Sequence, residues 1–393
     1  MNISIGAQTL PGNFERDLGR LARIVLVWMI LTALAPAPPR APIGPPQIVV
    51  TEKPVVCVHT RLIDEVYEWK IQRSLQMVRE MGATTIVEFF PWAYAEPQPG
   101  DYRWESFDRI IRHARNQGLT IIARMGLVPE WARQTEDSVS TTFNDLPERS
   151  YGAFAEFVTA FASRYRNDVK HIIIWNEPNL SFEWGYRPVD PSGYAKLLKV
   201  VYPAVKAAAP ETIILAAPLA PTLEPPGSPN GLNDLLYLEA LYQAGAAPYF
   251  DALAMHTYGF TDPPEAPPAA EALNFRRAEL LHEIMLRYDS PDKPVYITET
   301  GWNDHPRWTK AVRPSLRVAY TVNAFRWAEA HWPWVDKLCI WVLRYPGATR
   351  SYPDNFTLIT PDFQPLPIYS AIQAYALGRE EDAPLWLPAP GTP

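Results

Sequence analysis

Cysteine is almost absent from this 393-residue chain, which has two, Cys57 and Cys339. Two cysteines exclude a disulfide-dense scaffold and a cysteine-rich metal site. Both fall in apolar, strand-like runs. Two buried thiols are the first reading there, and a bridge between the first and last strands of a closed sheet is the second. An excess of positive charge is also missing. The 36 Lys and Arg against 43 Asp and Glu leave a net charge of −7, which gives no electrostatic case for nucleic acid or an anionic membrane surface as a partner. There is no Gly-x-Gly-x-x-Gly, no phosphate-cradling loop, no Cys/His zinc spacing and no His-Glu-x-x-His, so neither a cofactor nor a metal is expected. The apolar run 24–35 follows Arg16, Arg20 and Arg23 and falls short of the roughly 20 residues a spanning helix needs. A basic flank followed by about a dozen apolar residues is the layout of an export signal. Pro36 directly after Ala33-Leu34-Ala35 is poor for cleavage, which leaves an uncleaved anchor, a membrane tether, as the alternative. The expected location is outside the cell, secreted or membrane-anchored.

What is present is an ordinary globular composition, 47% hydrophobic and 20% charged, with proline in excess at 42 residues. Prolines crowd residues 36–46 into an extended tether. Ordered structure is expected from about residue 48. From there apolar runs alternate with stretches of helical periodicity. The strand candidates are 55–60, 85–90, 120–125, 171–175, 212–216, 252–256, 294–298 and 337–342. The helical candidates are 69–81, 104–117, 150–166, 193–208, 232–244, 274–288, 315–330 and 368–377. Eight strands in strict alternation with eight helices imply an α/β fold, a closed (β/α)₈ TIM barrel. Continuous apolar strands fit burial on both faces. The division is a leader and proline-rich linker over 1–47, one barrel over 48–378, and a tail over 379–393.

Two glutamates end strand-like runs. Glu177 follows His171-Ile-Ile-Ile-Trp-Asn176, and Glu299 follows Pro294-Val-Tyr-Ile-Thr298. Side chains at the C-terminal ends of parallel strands converge on one mouth of a barrel. Two carboxyl groups in unlike environments there can protonate a leaving oxygen and stabilise an oxocarbenium-like centre, which is what glycoside hydrolysis needs. Glu177 is read as the proton donor and Glu299 as the nucleophile. Asn176 is placed to reach a sugar hydroxyl beside the anomeric carbon, and Pro178 stops the strand and fixes the turn.

The segments Trp-Asn-Glu-Pro-Asn (175–179) and Ile-Thr-Glu-Thr-Gly-Trp (297–302) together resemble the clan A retaining glycoside hydrolases, a barrel superfamily that includes cellulase-like and β-xylosidase-like families. The resemblance covers about residues 54–378. It implies Glu177 as acid/base, Glu299 as nucleophile and retention of anomeric configuration. It implies further that His256 and Tyr258 in His-Thr-Tyr support the nucleophile and contact the sugar, and that Trp341 floors the subsite where the bond breaks. Residues 92–104 resemble the Glu-Pro-x-x-Gly-x-Tyr-x-Trp loop of these barrels, and 128–131 their Pro-x-Trp turn. The chain departs from the β-xylosidase-like pattern in having no room for an added β-sandwich.

Other positions are weaker signals. Trp92, Trp131, Trp184, Trp302 and Trp308 are each read first as structural, but some of the group should line the cleft, as aromatic faces stack on sugar C–H surfaces, and Trp92 and Trp302 are taken as the candidate sugar platforms. His59 is a candidate sugar contact with a structural ion pair as its equal alternative. Glu88 and Arg124 are read as a buried pair across the barrel, with Arg124 steadying a carboxylate as the other reading. Glu183 and Asp304 are read as solvated. The partner is an oligosaccharide, polysaccharide or glycoside. The rival readings are a non-catalytic carbohydrate-binding barrel on the cell surface and a transglycosylase using the same two glutamates.

Overall fold

Runs such as His171-Ile-Ile-Ile and Val295-Tyr-Ile-Thr are buried along their whole length or nearly so, and a strand buried on both faces belongs in a parallel sheet covered by helices. The computed structural model describes residues 20, 23, 41–133, 142–288 and 293–379. Among them eight strands run in order: β1 (Val56–His59), β2 (Thr85–Pro91), β3 (Thr120–Gly126), β4 (His171–Ile174), β5 (Ile213–Ala216), β6 (Ala252–Tyr258), β7 (Val295–Gly301) and β8 (Val335–Ile340). Each pairs in parallel with the next, and β8 pairs with β1 to close the barrel. The outer helices are α1 (Glu68–Glu80), α2 (Glu105–Asn116), α3 (Tyr151–Arg164), α4 (Pro191–Ala208), α5 (Asp234–Gln243), α6 (Arg277–Tyr288), α7 (Pro314–His331) and α8 (Pro367–Ala376). This is the expected (β/α)₈ barrel.

The helices form because their apolar residues recur on one face and their ends are marked. In α2, Phe107, Ile110, Ile111 and Ala114 turn inward, with Glu105 and Asp108 in the first turn, where negative charge suits the helix dipole. Proline opens α4, α7 and α8, where its missing N–H is not needed. Asn233 caps α5 by accepting from the Leu235 N–H.

A layer of side chains from alternate strand positions, including Val87, Ile122, Ile173, Leu215 and Tyr296, packs together inside the barrel. Cys57 and Cys339 belong to it and are fully buried. They face each other in the β1–β8 register and are joined in a disulfide with a Cα–Cα distance of 4.1 Å. The first reading, two free thiols, is corrected: barrel closure makes residues from opposite ends of the chain direct neighbours.

Four strand ends differ from the expected ones in ways that matter for the site. β4 stops at Ile174 because Trp175 has a positive φ of 80° and leaves extended conformation. β6 and β7 run on to Tyr258 and Gly301 because they keep pairing past the expected ends. β8 ends at Ile340, so Trp341 lies just beyond it, its N–H bonded to Thr300 O at 2.9 Å.

The expected membrane tether, and with it a membrane-anchored location, is corrected. Among the described residues no helix is long and apolar enough to cross a membrane. The run 24–35 that prompted the expectation lies outside the described residues, as do most of the leader and the tail 380–393.

Candidate active site

At the C-terminal mouth the regular alternation of strand side chains breaks in two places, and each break presents a glutamate. Along β7, Tyr296 points into the barrel, so strict alternation would turn Glu299 outward. Instead Met255 pairs with Ile297 and His256 with Glu299, with a register shift between. Thr298 is the extra residue. A bulge of this kind re-aims the side chain that follows it, and Glu299 faces the lumen. After β4, positive φ values at Trp175 (80°) and Glu177 (39°) send the Trp175 ring into packing with Phe154 and Trp184, leaving Asn176 and Glu177 at the mouth. Non-glycine residues held in this region cost of order 1–3 kcal/mol each and cluster at functional sites. The Glu177 N–H bonds Pro218 O at 3.0 Å, tying the turn to the loop after β5.

An oxygen of Glu177, a ring nitrogen of His256 and an oxygen of Glu299 all lie within 4.8 Å of one another. His256 bridges the carboxyl groups, with Nδ1 at 2.8 Å from Glu177 Oε1 and Nε2 at 3.7 Å from Glu299 Oε1. The two carboxyls are not equivalent. Glu299 accepts from Tyr258 O–H at 2.7 Å on Oε2 and from Arg124 at 3.2 Å on Oε1. Among the described residues no guanidinium is bonded to Glu177, and burial pushes its carboxyl up to about 7, against the pull of Arg124. Burial also raises Glu299, with Glu177 adding to the rise, while Arg124 and the Tyr258 hydroxyl oppose it. Burial holds His256 down to about 4, so it is neutral near pH 7 and shares one proton with Glu177. Two carboxyls and an imidazole are donor types that metal ions accept. Here, however, Arg124 already supplies the positive charge on Glu299, and the set reads as a proton-transfer arrangement.

Arg124 also donates to Asn176 Oδ1 at 2.9 Å. It does not pair with Glu88, whose carboxylate accepts instead from Thr60 O–H at 2.5 Å and from the N–H groups of Leu62 and Ile63. The expected Glu88–Arg124 pair is corrected, and the alternative, Arg124 on a carboxylate, holds. His59 is fully buried, its Nε2 3.7 Å from Glu299 Oε1. Burial and then the Arg124 charge hold it well below the usual histidine range, so this contact is not a charged pair. Its ring meets Trp341 edge-on at 4.5 Å.

Over the pair lies a cleft of about 330 Å³ bounded by Glu177, Glu299, Tyr258 and Trp341, with Phe260, Trp308, Tyr345 and Phe356 among its walls. Trp308 stacks on Tyr352 at 5.1 Å, and Asn303 Nδ2 donates to Tyr352 O at 2.8 Å, which fastens the loop after β8 to the loop after β7. Trp92 and Trp302 do not line it. Both are buried, and their indole N–H groups go to Glu96 Oε2 and Asp262 O. Glu183 and Asp304, read as solvated, are half-buried and bonded: Glu183 to Asn176 and Asn144, Asp304 to Asn355. The aromatic walls from 345–356 went unread because nothing periodic marks a loop as cleft-lining.

Residues 136–360 match the family described as glycosyl hydrolase catalytic core. The chain belongs to that family. It therefore carries a glycosyl hydrolase catalytic core. Residues 63–176 of this glycosyl hydrolase also match a family described as beta-galactosidase. Its barrel is similar to a family 39 glycoside hydrolase from the gut symbiont Bacteroides cellulosilyticus WH2, at TM-score 0.67 and 22% identity over 85% of this chain and 65% of that one. It is also similar to a monomeric beta-xylosidase from Caulobacter crescentus CB15, at TM-score 0.58 and 19% identity over 82% and 69% of the two chains. A third is a subfamily 18 member of glycoside hydrolase family 5 from Streptomyces cattleya, in complex with GlcNAc, at TM-score 0.60 and 16% identity over 85% and 82%. At these identities the likeness is one of fold, and the chain spans 65% of the length of the first of them. No curated protein matches the chain.

Proposed function

We propose that this glycosyl hydrolase cleaves O-glycosidic bonds with retention by double displacement, with Glu177 as acid/base and Glu299 as nucleophile. The observation that carries the reading is the closeness and inequality of the two carboxyls. Oxygens within 4.8 Å leave no room for the water that an inverting enzyme places between groups roughly 6.5–9.5 Å apart. The Tyr258 and Arg124 donors favour the ionised form of Glu299, and burial favours the protonated form of Glu177.

In the first step a Glu299 oxygen bonds to the anomeric carbon as the bond to the leaving oxygen breaks. Glu177 gives its proton to that oxygen, and the aglycone leaves as an alcohol. In the second step Glu177, now a carboxylate, takes a proton from water. The hydroxide oxygen bonds to the anomeric carbon, and Glu299 is released with its negative charge. Two inversions give retention. Asn176, Tyr258 and Trp341 surround the sugar on this reading, with His59 buried behind Trp341, while Trp92 and Trp302 serve packing. The substrate is a glycoside, oligosaccharide or polysaccharide. The catalytic unit is residues 48–378, with 1–47 as leader and 379–393 as tail.

The experiment is a screen of nitrophenyl glycosides and polysaccharides, followed by NMR of the first-formed anomer and assay of Glu299→Ala. The expected results are a retained configuration, loss of turnover in the variant, and recovery with azide or formate. An inverted first product, or near-normal hydrolysis by Glu299→Ala, would refute the assignment.

A further inference from the structure

A third carboxyl group stands beside the site, and the double displacement does not use it. Glu183 lies in the short turn Phe182–Trp184 after β4. Its Oε1 accepts from Asn176 Nδ2 at 3.3 Å, its Oε2 from Asn144 Nδ2 at 3.0 Å, and its backbone carbonyl from the Trp175 indole at 2.8 Å. Asn176 Oδ1 in turn accepts from Arg124, the same guanidinium nitrogen that donates to Glu299. A guanidinium can only donate and a carboxylate can only accept, whereas an amide has one end of each kind. Held between them, Asn176 has one orientation that satisfies both neighbours. Removing the acceptor frees the amide to turn, and turning it would set its N–H₂ against a donor-only group.

We propose that Glu183 is a positioning residue, which fixes the Asn176 amide against Arg124 and sets a further negative charge beside Glu177. The inference rests on the reading of Glu177 as proton donor. Burial, then the charge of Glu177, pushes the Glu183 carboxyl up to about 7. That repulsion is mutual, since the two groups titrate as a coupled set. Whichever of the two carboxyls is ionised therefore helps to keep the proton on the other, and removing the Glu183 carboxyl takes that repulsion away from Glu177. The other groups facing Glu177 are Arg124 from β3, His256 and Tyr258 from β6, and Glu299 from β7. None of them bonds Glu183 directly, and Arg124 is linked to it only through Asn176.

Two variants separate the two roles. Glu183→Gln keeps an oxygen for Asn176 but removes the charge. Its kcat should stay within about threefold of wild type, while the alkaline limb of kcat/KM moves to lower pH. Glu183→Leu removes both, and should show the same limb shift together with a fall in kcat of roughly tenfold or more, the loss expected for a hydrogen bond to a charged group. Thermal unfolding of each reports any purely structural damage. If Glu183→Leu fails to fold, the limb position of Glu183→Gln still decides. An unmoved limb in Glu183→Gln overturns the proposal. So does loss of all turnover in Glu183→Gln, which would make Glu183 itself the proton donor. A wild-type enzyme that cleaves no glycoside, or a Glu299→Ala variant that remains active, would fell the underlying assignment instead. An active, Glu299-dependent enzyme with an unshifted limb would fell this inference alone.

Discussion

Tyr258→Phe is the sharpest test of how the site divides labour between its carboxyls. The substitution removes one hydroxyl, which donates to Glu299 Oε2 at 2.7 Å, and leaves the ring against Phe356. Glu299 keeps Arg124 on its other oxygen. Hydrogen bonds to charged groups contribute about 1.5–3 kcal/mol. The hydroxyl acts on the ionised form of Glu299 only, so its loss narrows the energy gap between the productive state, proton on Glu177, and the unproductive one, proton on Glu299. At 1.36 kcal/mol per tenfold, that population ratio falls by roughly 10- to 150-fold. The sign is fixed. Glu299 is already raised by burial, and removing a donor that stabilises its carboxylate raises it further. Glu299 then ionises only at higher pH, and the acid limb of kcat/KM moves up. The assay is kcat/KM against pH on an aryl glycoside the wild type cleaves, with thermal unfolding as the control. An acid limb that stays in place, with kcat/KM within twofold of wild type, would refute the reasoning.

Two further outcomes follow from the same geometry. With Glu177 pushed up to about 7, the proton donor is present below that pH and lost above it, so wild-type kcat/KM should fall with a limb near pH 7. A limb placed instead beyond pH 9, or none at all, would remove Glu177 from that role. The Cys57–Cys339 bridge closes a sequence separation of 282 residues, and in the chain-entropy picture such a loop is worth about 5.6 kcal/mol. The double variant Cys57→Ala, Cys339→Ala should lower Tm by about 7 °C for a domain of this size. An unchanged Tm by calorimetry would show that the bridge adds nothing beyond barrel closure.

The alternation of apolar runs with 3.6-residue periodicity was enough for the eight-stranded closed barrel and for most element boundaries to within about two residues, because those signals are local. The same was true of the two glutamates, since Asn-Glu-Pro and Thr-Glu-Thr sit at strand ends that only a closed barrel brings together. The pairing of Arg124 with Asn176 and Glu299 rather than with Glu88 was not legible. Residues on neighbouring strands are equally near in a register drawn from sequence, and the choice of partner depends on the angle at which each side chain leaves its strand. Nor was the bonding of Glu183, because a loop carboxylate looks solvated until Asn144, from another loop, is laid beside it.

By itself, the order of residues determined the barrel, its strand count and the carboxyl-bearing ends. Only the tertiary structure decided that Cys57 meets Cys339, that a bulge at Thr298 turns Glu299 inward, and that Trp308 rather than Trp92 or Trp302 reaches the cleft. Periodicity records which face of an element is apolar. It carries no information about the twist, register shift and loop packing that set one side chain against another from far along the chain.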